Sequence, residues 1–245
     1  MSDNASLPPE IDLDSLFRRK SIFDSHDDLE EAGFQIVRAS TKNRVTVFGH
    51  ESLPGYLFKK FLRDVKHPYK KQLASYKKRV GGARALKVHL DALHIDSIVV
   101  PRKWLCELPS RFRSDGRRQH VVLVEKYNLL TRDKTNQLYR ALPKDTIRDL
   151  CTIFFAFKRV DFAARNMPFT PDGKIVFIDT GYLRRITEGS SFRWKSFEKN
   201  VEKLFPDDQR HNQRYAKSLW DEFEEGGLLK VLKAARSVKP VKPVK

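Results

Sequence analysis

Hydrophobic positions change period along this chain. FQIVRAS and RVTVFGH alternate, are rich in β-branched residues and flank the polar turn TKN, which is how a hairpin reads; GYLFKKFL follows the Pro54-Gly55 turn as a third strand. In YKKQLASYKKRVGGARALKVHLDALH the spacing becomes helical, with Leu73, Tyr76, Val80, Leu86 and Leu93 in step. This predicts one long helix, straight or kinked, weakened in its middle by Gly81-Gly82.

Two more strand-like runs, SIVVPRKWLCELP and HVVLVEKYNLL, are joined by a polar loop containing the turn dipeptide Asp115-Gly116. After residue 131 the pattern turns helical: TRDKTNQLYRAL, then PKDTIRDLCTIFFAFKRV with Pro143 at its start, then the stretch from about 207 to 236. The expectation is an α+β chain, with a β-rich region of five strands and one long helix over 32–128 and a helical region over 129–236.

The two ends read differently. Residues 1–31 are polar and acidic, with Pro8-Pro9 and the run DDLEE, which predicts a loose arm or a capping segment; residues 237–245 repeat Lys-Pro, as an extended solvated tail would. No internal repeat, heptad run or Cys-His cluster of zinc spacing is present, which excludes solenoid and zinc-finger architectures, and no His pair stands at i, i+4. Trp104, Trp194 and Trp220 read as packing anchors.

Composition adjusts this picture only in part. At 245 residues the chain is long enough to bury a sizeable core without metal or disulfide staples. Cys106 and Cys151 lie inside the apolar runs KWLCEL and DLCTIFF, as small buried hydrophobes do, which fits a reducing compartment. The N-terminus lacks a basic start followed by an apolar stretch, and the longest apolar run, CTIFFAF, is too short to cross a bilayer, so a soluble protein without a removable secretory signal is expected. The net charge of +17 favours phosphates, anionic membranes or acidic proteins as partners and says nothing about fold.

Candidate chemistry concentrates in RVDFAARNMPFTPDGKIVFIDTG, residues 159–181, where Asn166 follows Asp161 by five and Asp179 follows Asn166 by thirteen. Pro168 and the turn Pro171-Asp172-Gly173 interrupt the segment, and KIVFID reads as a short buried strand ending at Asp179. The three polar residues then sit on loop ends beside a hairpin. Asn166 and Asp179 supply the oxygen ligands that a hard cation takes, Mg2+ or Mn2+, while it keeps water and completes its shell from phosphates. Asp161 is a carboxylate placed to accept or orient the proton of an attacking hydroxyl. By composition alone the triplet would arise about 0.04 times in this chain. The bland alternative makes Asn166 and Asp172 turn-formers and Asp161 and Asp179 caps of helix or strand ends.

RVDFAARN resembles the catalytic loop of protein kinases, H-R-D-x-x-x-x-N, and FIDTG resembles their metal-binding D-F-G. Over roughly 34–200 the resemblance implies a two-lobed protein-kinase-like fold, with a five-stranded N-lobe and a small helical C-lobe, and ATP with Mg2+ as cofactors. It implies that Asp161 orients the acceptor hydroxyl and that Asn166 and Asp179 hold metal. Arg165, in a stretch similar to the A-A-R-N form of tyrosine kinases, would offer a cation to the γ-phosphate. YLFK is similar to V-A-I-K and points to Lys59 as the nucleotide-phosphate lysine, with Lys60 its rival; Lys59 shares a strand face with Leu57, which could line an adenine pocket. VLVEKYN resembles the strand and hinge whose backbone, here Glu125, Lys126 and Tyr127, pairs with adenine.

The chain departs from the pattern at several places. Residues 65–95 contain no Glu and only Asp91 as an acid, so the helix glutamate that pairs with the strand lysine is missing; Gln72, Glu30 or Glu31 are the candidate substitutes. TKNR stands where a glycine-rich loop would be, with Lys42 as a compensating cation. Arg159 and Val160 replace His and Arg, Thr180 replaces Phe, and A-P-E is absent. The chain is therefore similar to a reduced, atypical kinase, comparable in economy to the compact kinase-like effectors that some bacterial pathogens deliver into host cells. Cytoplasmic residence, or delivery into a host cell, is the matching expectation, with a protein substrate, an acidic one suiting the charge.

Three other readings compete. A small-molecule phosphotransferase of the aminoglycoside or choline kinase type shares the D-x-x-x-x-N loop and an I-D metal strand, although roughly 60 residues after Asp179 leave little for its pocket. A nucleotide-binding pseudokinase would explain the missing glutamate and glycine loop. A nucleic-acid binder is suggested by the charge and the basic run from Lys59 to Lys87, and ranks last because no motif accompanies it.

Overall fold

The computed structural model describes residues 8, 11–17, 25–39, 45–62, 69–109, 113–114, 117–158, 164–181, 183–185 and 193–228. The protein is α+β, with a five-stranded antiparallel sheet and helices. It divides into two compact units: 1–81 with 101–127, and 82–100 with 128–245.

The first unit is built on the predicted strands. Phe34–Arg38, Thr46–His50 and Tyr56–Lys60 pair in succession, His120–Glu125 joins the third, and Lys103–Glu107 forms the far edge. The run SIVVPRKWLCELP is therefore split: Pro101 separates Ile98–Val99 from Lys103–Glu107, because a proline cannot donate to a ladder. The TKN and Asp115-Gly116 turns lie outside the described residues.

Strand alternation gives the sheet two different faces. Phe48, Phe58, Leu123 and Cys106 enter one buried cluster, where Phe34 meets Phe48 and Phe58 edge-on at centroid distances of 5.2 and 5.7 Å. The acidic N-terminal segment supplies more of this cluster than its composition suggests. Leu13–Leu16, capped by Asp12, and His26–Glu31, closed by a reciprocal Ser25/Asp28 capping box, bring Leu13, Phe17 and Leu29 into it. Leu13 and Phe17 stand at the i, i+4 interval of a helix and Leu29 is flanked by acids, so net polarity hides these apolar positions.

The opposite face carries Val122 and Val124 and packs against Tyr76 and Val80 of the helix Tyr69–Ala92. The helix runs unbroken through Gly81-Gly82. The Tyr76 hydroxyl accepts the Phe61 N–H at 2.7 Å, and the Tyr69 hydroxyl meets His120 Nδ1 at 2.8 Å, so two side chains seven residues apart tie the helix to the sheet.

The second unit is held by the helix Lys144–Ala156, whose last two turns, Leu150 through Ala156, are buried on every side and so lie in the core. It ends at Ala156, earlier than the sequence pattern implies, because Phe157 turns extended and Phe157–Lys158 pairs with Arg184–Arg185. Arg132–Arg140, capped by Thr131, and Arg210–Glu225 match predicted helices. Arg193–Leu204 is a helix beyond those predicted, although Phe197, Val201 and Leu204 have helical spacing and are buried. Phe155 packs on Trp220 and Phe223 with centroids 4.9 and 5.6 Å apart. Cys106 and Cys151 are both buried and free. Among the described residues no helix is long and apolar enough to cross a membrane.

Candidate functional site

The segment after Asn166 forms the expected hairpin. Phe169 bridges Ile175, the Thr170 N–H donates to the Lys174 carbonyl at 2.9 Å, and Gly173 takes a positive φ of 82° at the turn with Pro171 and Asp172. Asp172 is exposed, and its hydrogen bond from Thr170 holds its carboxyl below the usual range, so the turn-forming reading fits that residue.

The returning strand is short, Ile175–Val176, but its extended path continues to residue 178 with alternating partners. Ile175 and Phe177 donate to the Ser97 and Val99 carbonyls, each at 2.9 Å; Val176 and Ile178 donate to Pro168 and Asn166, at 2.8 and 3.0 Å. Ile175, Val176 and Phe177 are fully buried. A strand held along both edges also fixes the position of the next residue in the chain, Asp179. The Ile178 bond to the Asn166 carbonyl sets Asn166 opposite the end of that strand, so the two sequence-predicted metal ligands are brought together on neighbouring backbone.

Asn166 closes a single 3-10 turn, Ala164–Asn166, and is buried. The next residue is anchored too: Tyr139 donates its hydroxyl to the Met167 carbonyl at 2.8 Å, and burial pushes that phenol's pKa up. Asp179 is half-buried, and its Oδ1 accepts the Gly181 N–H at 3.1 Å, an Asx turn. A carboxylate has about four lone-pair sites, the number that lets such a group serve a backbone N–H and a cation together. Thr180 is fully buried and touches the helix at Gly82, where a Cβ would come 2.0 Å from the Thr180 carbonyl oxygen.

One amide oxygen and one carboxylate make a hard, all-oxygen donor set, which suits Mg2+ or Mn2+ and not zinc. Two such ligands do not complete a shell, and among the described residues no group of three or more His, Cys, Asp and Glu is placed to hold a metal. The donor chemistry fits a cation that takes its other ligands from phosphates and water. Asp161, with Arg159 and Val160, lies outside the described residues; Arg165 is exposed next to Asn166.

In the first unit the register separates the two candidate lysines. Lys59 stands opposite Val47 and Val122, on the helix-covered face, between Leu57 and Phe61. Lys60 stands opposite Thr46 on the other face, is only 4% exposed, and directs Nζ to the Phe61 carbonyl at 3.4 Å. Sequence reasoning missed Lys103, a buried lysine opposite Val124 on the same face as Lys59. Its alternation with Leu105 in KWLCE was the available signal.

The Glu125–Tyr127 stretch has local duties. The Glu125 carboxylate accepts from the Arg102 guanidinium and from its backbone N–H, both at 3.1 Å, and the Glu125 and Lys126 N–H groups donate to Arg102 and Gly55 carbonyls at 3.0 and 2.8 Å. Burial, then the neighbouring Glu125 carboxylate, raise the Tyr127 phenol's pKa. Of the substitutes for the missing glutamate, Gln72 is half-buried one turn before Tyr76, and Glu30 and Glu31 are exposed. Asp91 is exposed and ion-paired with Lys87.

No protein-family model matches the chain, and no curated protein matches it. Among solved structures that resemble it is a 2.2 Å crystal structure of WbdD, at 12% identity and a TM-score of 0.37, over 78% of this chain and 45% of that one. The chain thus spans less than half of that protein's length.

Proposed function

We propose that this protein is an ATP- and magnesium-dependent phosphotransferase, an atypical kinase that moves the γ-phosphate to a protein hydroxyl. The observation that supports this best is the Ile178 to Asn166 backbone bond, which pairs the Asn166 carbonyl with the strand residue just before Asp179. Asn166 and Asp179 would hold the cation, which when bound neutralises charge on the transferred group. Lys59, on the helix-covered sheet face, would hold nucleotide phosphates, and Arg165 would offer a further cation. Because Glu125 and Lys126 commit their N–H groups internally, Tyr127 is the residue of that stretch whose N–H would meet an adenine.

In the transfer the acceptor oxygen forms a bond to the γ-phosphorus as the bond to the ADP oxygen breaks. The acceptor proton passes to a base, the role given to Asp161. Titration calorimetry with ATP, with and without Mg2+, tests the first part: Asp179→Ala should remove the magnesium-dependent binding. Asp161→Asn should keep binding and lose transfer of labelled phosphate to protein. ATP binding indifferent to both Mg2+ and Asp179→Ala would overturn the proposal.

A nucleotide-binding pseudokinase is the second reading. It is favoured by Asp91, the sole acid of the helix, which is exposed and already paired with Lys87. Magnesium-dependent binding with no transfer by the wild type would select it.

A further inference from the structure

The helix Tyr69–Ala92 presents Lys70, Lys71, Lys77, Lys78 and Arg84 to solvent, and among the described residues none of the five has an ion-pair partner. The acid of this helix, Asp91, is already paired with Lys87. Lys70, Lys77 and Arg84 recur every seven residues, two helical turns, and so form a straight row with steps of about 10.5 Å and a length of about 21 Å. Lys71 and Lys78 form a second row about 100° around the axis. Five cations along one rod make a strong local field.

We propose that this face binds the phosphate backbone of double-stranded DNA without reading its sequence. The proposal is independent of phosphate transfer. Four features select this partner. A line of cations matches a linear polyanion, which carries one charge per roughly 1.7 Å of duplex, better than it matches a plane of lipid headgroups. The apolar side of the helix is packed against the protein, so it has none to insert into a membrane. Its exposed side has Ala74, Gly81 and Val88 between the cations and no aromatic ring, which leaves neither the anchors of a protein interface nor the stacking platforms that hold single strands. The B-form major groove, about 12 Å wide, admits a helix, whereas that of duplex RNA is too deep and narrow.

The test is fluorescence anisotropy of a labelled 20-bp DNA duplex titrated with the full chain at several salt concentrations. Wild type should bind with log K falling linearly in log salt, and the triple variant Lys70→Ala, Lys77→Ala, Arg84→Ala should bind more weakly with a slope shallower by about three. Alanine favours helix, and circular dichroism checks that the fold persists; Lys71→Ala with Lys78→Ala is an independent pair, with a slope shallower by about two. Asp179→Ala should bind duplex like wild type, which separates this proposal from the nucleotide site. The inference fails if the triple and the pair variants keep the wild-type slope. It also fails if phosphatidylserine vesicles, polyglutamate, single-stranded DNA or duplex RNA are bound more tightly than the DNA duplex.

Discussion

Gly82, in the middle of the helix Tyr69–Ala92, lies against Thr180: a Cβ on residue 82 would stand 2.0 Å from the Thr180 carbonyl oxygen, closer than any carbon approaches. The neighbour on that side is backbone, which cannot swing away. Thr180 follows Asp179 directly, so the helix sets the height of the loop that carries the candidate metal carboxylate. Gly81, one residue earlier, meets nothing within 4 Å and is exposed.

Two adjacent glycines therefore give opposite substitutions. Gly81→Ala should stabilise the protein by about 0.5–1 kcal/mol, the usual gain when an exposed helical glycine is replaced. Gly82→Ala should destabilise it by about 1–3 kcal/mol through overpacking, and should weaken magnesium-dependent ATP binding by moving Asp179. Urea denaturation of both variants decides the matter; equal shifts in one direction would contradict the contact.

Tyr76→Phe isolates the tie between helix and sheet. The ring stays against Phe61, at a centroid distance of 5.4 Å, while the hydroxyl that accepts the Phe61 N–H is lost. A buried donor without a partner costs about 1–3 kcal/mol, and chemical denaturation should show a loss of that size. A neutral result would mean that water replaces the phenol.

The two strand lysines separate by face. Lys59→Met should reduce ATP affinity at least about 10-fold, because Lys59 lies on the helix-covered face where a phosphate role is proposed. Lys60→Met should leave ATP affinity within about 2-fold, since Lys60 belongs to the face of Thr46 and Phe58. Calorimetry on the pair checks this; the reverse ranking would move the nucleotide lysine to residue 60.

Burial pushes the Cys106 thiol up to about 12 and raises Cys151 as well. Since the thiolate is the reactive species, both cysteines should resist iodoacetamide near pH 8 in the native protein and react at once in denaturant. Rapid labelling of either in the folded state would show that its cover opens.

Much of this fold was legible because alternation and helical spacing are imposed by burial. Phe48, Phe58 and Leu123 announce one sheet face, and Tyr76 and Val80 announce the helix that covers the other. Less legible were features set by partners distant in sequence. Nothing local to Gly82 says that Thr180 will touch it, and nothing local to Ile98–Val99 announces its parallel partner Ile175–Val176. The helices around Phe17 and Leu29 were hidden by the acids between them. At the candidate site the residue types and spacing were readable, and the pairing of Asn166 with Ile178 was not, since backbone hydrogen bonds leave no mark on side-chain identity.

Asp149 gives the stability of this protein a pH dependence with a definite sign. Burial raises its carboxyl above the ordinary range, opposed by the hydrogen bond from Ser97 Oγ at 2.5 Å; Asp145 and Asp96 add to the rise and Arg148 opposes it. A raised folded value means that the native state holds this proton more tightly than the unfolded chain does. Its contribution is therefore full below the ordinary carboxylate range, and is lost as pH rises through that range to the folded value. Asp149→Asn keeps an oxygen acceptor for Ser97 and removes the titration. Unfolding free energies of both proteins, measured from about pH 3.5 to about pH 7, should show the variant gaining on the wild type as pH rises. A difference that stays flat, or shrinks, would mean that the Ser97 bond outweighs burial at this carboxylate.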